Sequence, residues 1–322
     1  MIRFATIGSN FVTDRFLTAA KQAPYFTLLG IYSRTQTRAT EYATKWGAPR
    51  TYTSLDALCA DADIDAVYVA SPNTVHEEQV IPLLRAGKHV LCEKPAALDS
   101  ASLLRMHEEA KKNGLIFMEA MMPAHSPAWK TVLSLLPEIG TLRHAELKYC
   151  QYSSRYDKFK AGIIENAFNP EMGGGALMDI GVYCLHAAQM LFGEPEGVTG
   201  AGIFLPASID GAGSLVLSWK DKLAEIVYSK ITDSASGRID GEKGSILLDS
   251  VSLPRRITLH LRGQEPIDVP FEMEFNEMRY ELDDFVHQIE CGENPVFFEN
   301  TLAVTRTLDR ARALIGIDFK PH

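Results

Sequence analysis

At 322 residues, 46% hydrophobic and 23% charged, the chain is long enough for two domains and too apolar for a disordered one. A net charge of −9 with no basic block argues against a nucleic-acid binder. The five cysteines (59, 92, 150, 184 and 291) are odd in number and form no Cys-x-x-Cys, which argues against a disulfide framework or zinc site and fits reduced thiols in the cytoplasm.

The N-terminal MIRFATIGSN is a first strand without the pattern of a signal peptide, and no apolar run is long enough to span a membrane. In chain order, IRFATIG is a strand and VTDRFLTAAKQ a helix that stops before Pro24. FTLLGIYS is a strand, and TRATEYATKW a helix ended by Gly47. Ser54 caps a short helix at LDALCA. DAVYVASP is a strand, VHEEQVIPLLRAGK a helix and HVLCE a strand. SASLLRMHEEAKKNG is a helix capped by Ser100, and LIFMEAM a last strand. Continuous apolar strands alternating with helices predict a doubly wound parallel α/β domain over residues 1–121.

Past Pro123 the pattern changes, and residues 122–322 form the second predicted domain. LRHAELKYCQY alternates as a half-buried strand, and a loop rich in Tyr, Lys, Arg and Asn follows from Tyr152 to Met172. GGGALMDIGVYCLHAAQMLFG is a glycine-led apolar helix. Seven strand-like runs come next, from VTGAGIFL to IDVPFEMEF at 267–275, and predict a mainly antiparallel sheet. Two helices, MRYELDDFVHQIE and ENTLAVTRTLDRARALIG, close an α+β domain.

Ligands of doubly wound sheets bind outside the carboxyl ends of the strands, where Ser9, Ser33, Asn73 and Lys94 fall. The loop TIGSNFVTDRF occupies the place of a Gly-x-Gly-x-x-Gly dinucleotide fingerprint. Of the three glycine positions it keeps only Gly8, with Asn10 and Thr13 at the others, and Asn10 is expected to stand in for glycine with some backbone strain. Gly8, Ser9, Asn10, Phe11 and Val12 are the pyrophosphate candidates. After the second strand, Ser33, Arg34 and Arg38 stand where an NAD site carries an acidic residue, and no carboxylate appears before Glu41. Arginine pairs with a 2′-phosphate, so the cofactor reading is NADP, with NAD as the alternative.

Asp179 and Tyr183 are four apart, on one face of an otherwise apolar helix, with His186 three further on. A carboxylate in such a helix needs a partner. It is either a structural acid satisfied by backbone or tyrosine, or part of a catalytic site to which the Gly173–Gly175 run gives close access. The nine histidines show no metal-ligand spacing, so no metal is expected.

LCEKPAAL and GGGALMDIGVYCLHAA together resemble the glucose–fructose oxidoreductase and inositol dehydrogenase (Gfo/Idh/MocA) family, as does ASPNTVHEEQVIPLLRAGKHVLCEKP over its whole length. Tyr183, in place of the family's more frequent histidine, looks most like the dimeric dihydrodiol dehydrogenase and NADP-dependent xylose dehydrogenase branch. The resemblance implies a Rossmann domain and an open antiparallel sheet used for assembly, as a homodimer or dimer of dimers. It also implies a nicotinamide cofactor and a small sugar, polyol or cyclic diol substrate. By position, Lys94, Tyr183 and Asp179 are the implied catalytic residues. Ser71, Pro72, Asn73, His76 and Glu93 fall with Lys94 near the nicotinamide half of the cofactor. A lysine ammonium near a tyrosine favours the phenolate and can hydrogen-bond a developing alkoxide. Met122 and Ala124 depart from the dihydrodiol pattern and favour a sugar or polyol, gripped by His125, Arg155, Tyr156, Lys158 or Asn169. The other reading is a non-catalytic dinucleotide-binding sensor on the same fold, which would have no need of Lys94, Asp179 and Tyr183 together.

Overall fold

A computed structural model describes residues 1–273 and 276–319. The first part of the chain runs β1 (Ile2–Ile7), α1 (Phe11–Ala20), β2 (Phe26–Tyr32), α2 (Gln36–Trp46), β3 (Arg50–Tyr52), α3 (Leu55–Ala60), β4 (Ala66–Val69), α4 (His76–Arg85), β5 (His89–Glu93), α5 (Ser100–Lys112) and β6 (Phe117–Ala120). The six strands pair in parallel in the order β3-β2-β1-β4-β5-β6. The order reverses between β1 and β4, and the crevice outside the carboxyl ends there is where such sheets take ligands. The expected alternation is present, with one addition. The short strand β3 has only three residues and no apolar run to announce it.

The second part runs α6 (Met122–His125), α7 (Pro127–Leu135), β7 (Leu142–Cys150), α8 (Tyr156–Lys160), a π-helical turn (Leu177–Gly181), α9 (Val182–Phe192), β8 (Gly197–Leu205), β9 (Ile209–Trp219), β10 (Lys222–Ser229), β11 (Ser234–Gly241), β12 (Gly244–Leu248), β13 (Ile257–Leu261) and β14 (Ile267–Asp268). Its eight strands are ordered β14-β13-β12-β11-β7-β10-β9-β8. The sheet is mainly antiparallel, with one parallel pair, β7 with β10. Alternation sets its two faces: Ala224, Ile226 and Tyr228 of β10 are buried, whereas Leu223 and Glu225 are exposed. The strand predicted over 267–275 reduces to Ile267–Asp268, and residues 274 and 275 lie outside the described residues.

The chain ends in α10 (Met278–Cys291) and α11 (Pro295–Ile315). A single division near residue 121 does not describe the path. Compact unit one comprises Met1–Met122 together with Glu274–Phe298, and unit two the remainder. Helix α10 returns to the parallel sheet because its apolar face fits there: Met278, Leu282 and Phe285 join Phe4, Phe16, Tyr68 and Leu91 in one buried cluster. Phe16 stacks on Tyr68 at 3.7 Å within it.

Local signals explain most helix ends. Gly47, at φ +77°, closes α2, and Ser54 caps α3 by accepting from the Ala57 N–H. The cap of α5 is Asp99, which accepts from the Ser102 N–H, and the expected cap Ser100 is instead the first helical residue. The expectation that no apolar run is long enough to span a membrane is also amended. Among the described residues, Pro170–Phe192 passes that test of length and composition, with 72% of its apolar window buried inside the protein.

Leu282→Ala should cost about 2–5 kcal/mol, because it opens a cavity in the cluster that joins α10 to unit one. Urea unfolding with amide hydrogen exchange checks this. Protection should fall more in β1 and β4 than in β9 and β10.

Candidate active site

Because all six strands of unit one are parallel, the loops carrying Gly8, Ser33, Ser71 and Lys94 leave one edge of the sheet. Gly8, after β1, has φ +112°, and a Cβ there would lie 2.5 Å from the Ala70 carbonyl oxygen after β4. Only glycine fits this close approach. Asn10 is extended, at φ −123° and ψ −178°, so the expected strain is absent. Its Oδ1 accepts from the N–H groups of Val12 (3.0 Å) and Thr13 (3.1 Å), and its Nδ2 donates to the Ala70 carbonyl at 2.9 Å. Asparagine replaces the second glycine by capping α1 and tying it to β4. The Val12 N–H, a pyrophosphate candidate, is held by that cap, while Phe11 stands 70% exposed at the first helical position.

Arg38 crosses from α2 to the same loop. Its Nε donates to Ser9 Oγ at 3.0 Å and its Nη2 to the Ser9 carbonyl at 2.7 Å. Arg34 is exposed, Ser33 is half-buried, and Ser33 donates its backbone N–H to Tyr52. The rim beside the Gly8 loop is therefore cationic, and Glu41, 3.6 Å from Arg38, is its nearest sequence carboxylate.

Beyond β4, Ser71 Oγ donates to Gln79 at 2.6 Å, and Pro72 and Asn73 are half-buried. His76 is buried between two backbone carbonyls, with Nε2 3.0 Å from Ser71 O and Nδ1 3.2 Å from Pro95 O. Burial lowers its pKa, so the ring is neutral and donates to one carbonyl at a time. His76 thus braces the β4 loop against the β5 loop. The Lys94–Pro95 peptide is cis, and Lys94 is half-buried. Glu93, behind it, accepts from the Tyr68 hydroxyl and from the Lys94 N–H at 3.3 Å. Burial pushes the Glu93 carboxyl up, and the Tyr68 bond opposes this.

In unit two, Asp179 stands in the π-helical turn and Tyr183 on the first turn of α9. The π turn was not expected from the helical spacing. Such turns recur at functional sites because they widen the helix and re-aim side chains. Tyr183 is half-buried, edge-on to Tyr149 at 5.4 Å. Asp179 Oδ2 accepts from Lys230 Nζ at 2.6 Å, and the Asp179 side chain stays 38% exposed while that of Lys230 is only 2% exposed. Lys230 follows β10 directly, whereas the predicted strand AEIVYSKI runs over 224–231 and includes it. Asp210, at the start of β9, accepts from the Leu177 N–H at 2.7 Å and so anchors the turn. It reaches that turn through the space at Gly175, where a Cβ would lie 2.0 Å from its Oδ1. His186 is buried in α9.

The substrate-loop candidates divide. His125 is buried at the end of α6. Arg155 lies 3.2 Å and Lys158 2.5 Å from the Glu165 carboxylate, so both are engaged within the loop. Tyr156 is half-buried and stacks on Phe168 at 5.7 Å, and the Asn169 side chain accepts from the Glu171 N–H.

A model of the Gfo/Idh/MocA oxidoreductase family, NAD-binding Rossmann fold, matches residues 2–121, and a model of the family's C-terminal domain matches residues 137–247. The chain belongs to the Gfo/Idh/MocA family. It is an oxidoreductase of that family, with the dinucleotide-binding fold in unit one. A scyllo-inositol 2-dehydrogenase (NADP(+)) of Bacillus subtilis is 41% identical over 99% of this chain and 98% of its own. A trans-1,2-dihydrobenzene-1,2-diol dehydrogenase of Bos taurus is 28% identical, with the same coverage of 99% and 98%. The crystal structure of a 3-ketoreductase from Actinomadura kijaniata, in complex with NADP and TDP-benzene, superposes with a TM-score of 0.86 at 25% identity, covering 98% of both chains.

Sequence reasoning in this Gfo/Idh/MocA protein missed Lys230 and Asp210. Lys230 shares one part of the signal that singled out Lys94, a lysine after an apolar run, in IVYSK as in VLCEK, but lacks the flanking glutamate and proline. Asp210 carries only its place between an isoleucine and a glycine.

Burial raises the Asp210 pKa to about 6. It therefore binds its proton more tightly folded than unfolded, and stability falls as pH rises from about 4 to about 6. Asp210→Asn keeps an oxygen acceptor for Leu177 and removes that loss. Relative to the parent, the variant should gain up to about 3 kcal/mol between pH 4 and pH 7, read by urea unfolding at both.

Proposed function

We propose that the protein is an NADP-dependent dehydrogenase acting on a secondary alcohol of a small polyol, with an inositol-type cyclic polyol as the first substrate to test. The observation that carries the cofactor half of this reading is the cationic rim of Arg34 and Arg38 beside the Gly8 loop, with Arg38 bonded to Ser9. The residues fit a dinucleotide. Gly8 brings the backbones after β1 and β4 into contact at the switch point, and α1 begins there with its positive dipole end. The backbone of Ser9, Asn10 and Phe11 would meet the pyrophosphate, and Ser33, Arg34 and Arg38 the 2′-phosphate. The bound dinucleotide supplies the hydride acceptor.

The chain itself supplies orientation and proton handling. Lys94 donates a hydrogen bond to the reacting oxygen and stabilises it as negative charge develops. The Tyr183 hydroxyl takes or returns the proton, half-buried and fixed in direction by Tyr149. Asp179, held on one oxygen by Lys230, accepts a substrate hydroxyl on its exposed side. His76 keeps the loop after Lys94 in place. The names of the scyllo-inositol and dihydrodiol relatives support an alcohol on a ring carrying neighbouring hydroxyls. A homodimer formed through the open sheet face, and a cytoplasmic setting for the five free cysteines, belong to the same reading.

Titration of intrinsic fluorescence with NADPH and with NADH tests the cofactor. NADPH should bind at least about tenfold more tightly, and Arg34→Ala should remove most of that preference without weakening NADH. Equal binding of the two would overturn NADP.

Turnover of scyllo-inositol and related polyols tests the chemistry. Lys94→Met and Tyr183→Phe should each lower kcat by about 100-fold or more. The Kd for NADPH should stay within about threefold, since neither change touches the adenosine half.

A further inference from the structure

Lys230 holds three separate parts of unit two at once. Its backbone carbonyl accepts from the Ser153 N–H at 3.0 Å, at the start of the polar 152–172 loop. Its Nζ donates to the Ala167 carbonyl at 3.0 Å and lies 4.9 Å from the Phe168 ring centre, near the end of that loop. The same Nζ donates to Asp179 at 2.6 Å. Its own N–H donates to Gly211 of β9 at 2.8 Å, so the anchor is fixed to the sheet. A surface lysine would gain little from such contacts. This one is 2% exposed, and a buried ammonium needs acceptors to offset its lost hydration.

Beyond Lys230, the Tyr152 N–H donates to Asp233 at 2.7 Å and the Ala167 carbonyl also accepts from the Gly175 N–H at 3.2 Å. Inside the loop, Tyr156, Phe159 and Phe168 stack on one another, and Arg155 and Lys158 pair with Glu165, but these contacts all lie within it. Ile163 and Ile164 stand 58% and 50% exposed at its tip.

We infer that Lys230 is a positioning residue whose ammonium ties the end of the 152–172 loop to Asp179, while its backbone holds the loop's start, and so sets the shape of the polyol subsite. The inference rests on the proposed role of Asp179 toward a substrate hydroxyl. The end of the loop and the carboxylate are registered by one side chain, so loosening it frees both together. The ammonium also keeps Asp179 oriented with its exposed side outward, which suits a neutral hydroxyl donor. Lys230 touches no reacting atom in this scheme, and its loss should weaken substrate capture more than the chemical step.

The test compares the full-length protein with Lys230→Met and Lys230→Arg. Hydrogen–deuterium exchange without ligand should be faster by about tenfold or more across 165–172, the end of the loop, in Lys230→Met. KM for scyllo-inositol should rise by about tenfold or more, with kcat changed less and NADPH affinity unaltered. Lys230→Arg, which keeps the charge and can reach the same acceptors, should recover much of both. Unchanged exchange and unchanged KM in Lys230→Met would overturn the inference. Should Lys230→Met fail to fold, Asp179→Asn serves in its place. Weakening the same contact from the other side should speed exchange in the loop, and an unchanged loop would overturn the inference. If the parent protein turns over no polyol, the proposed function fails, while the exchange result still decides the role of Lys230.

Discussion

The 2.6 Å contact between Lys230 Nζ and Asp179 Oδ2 is the interaction on which the second unit's candidate chemistry depends. Asp179 stands in a turn otherwise lined by Leu177, Met178, Ile180 and Gly181, all buried. A carboxylate there costs several kcal/mol unless it is paired. The pairing cation cannot come from the same helix, because its neighbours are apolar. It comes from the end of β10, and bringing it there requires the parallel β7–β10 pair and the close approach of the π turn to β10. Asp210 completes the arrangement by holding the Leu177 N–H that the π turn would otherwise leave to water. The fold of unit two therefore delivers a cation for Asp179 and a second carboxylate for the Leu177 N–H to an otherwise apolar helix start.

Unit one meets the same constraint with less compensation. Glu93 is bonded to Tyr68 and to the Lys94 backbone, yet Glu281 of α10 is wholly buried, and among the described residues neither of its oxygens has a hydrogen-bond partner. Burial, and then the charge of Glu93, push Glu281 well above the ordinary carboxylate range. A protonated carboxyl there would carry no charge to bury, the direction in which its surroundings push it. Arg15 lies within reach of this group's field and pairs with Glu277 at 3.3 Å. The segment at Glu93-Lys94-Pro95 is thus backed by a helix from the far end of the chain, which explains why a compact dinucleotide-binding unit needs residues beyond 275.

Much of this was legible in the sequence. Parallel strands buried on both faces must be apolar throughout, so β1, β2, β4 and β5 announce themselves, and the helices between them carry caps and stops. The pair Asp179 and Tyr183 was legible because an acid in an apolar helix needs an explanation. What could not be read has physical reasons. An amphipathic pattern shows that α10 has a buried face but not which surface covers it. The choice of Asp99 over Ser100 as a cap is one residue between two good acceptors. Asn10 looked like a damaged glycine, because its worth lies in its side-chain hydrogen bonds, one of them to Ala70, 60 positions away. Nothing local distinguishes a π turn from an α turn.

Lys94 and Lys230 show how far one sequence cue can go. Each follows an apolar strand, though only Lys94 stands between a glutamate and a proline in a segment resembling the family. Burial separates them. Lys230 is almost wholly enclosed, with carbonyl and carboxylate acceptors fixed around its ammonium, so moving it would strip a charge of its partners. Lys94 is half-buried at the ligand-binding edge of a parallel sheet, its backbone held by Glu93 and the following loop by His76. A lysine that must meet a changing charge needs a rigid backbone and a side chain still open to its surroundings. One that must hold a carboxylate in place needs the reverse. In the proposed scheme Lys94 takes the reacting role and Lys230 the holding role, a distinction that follows packing and not residue type.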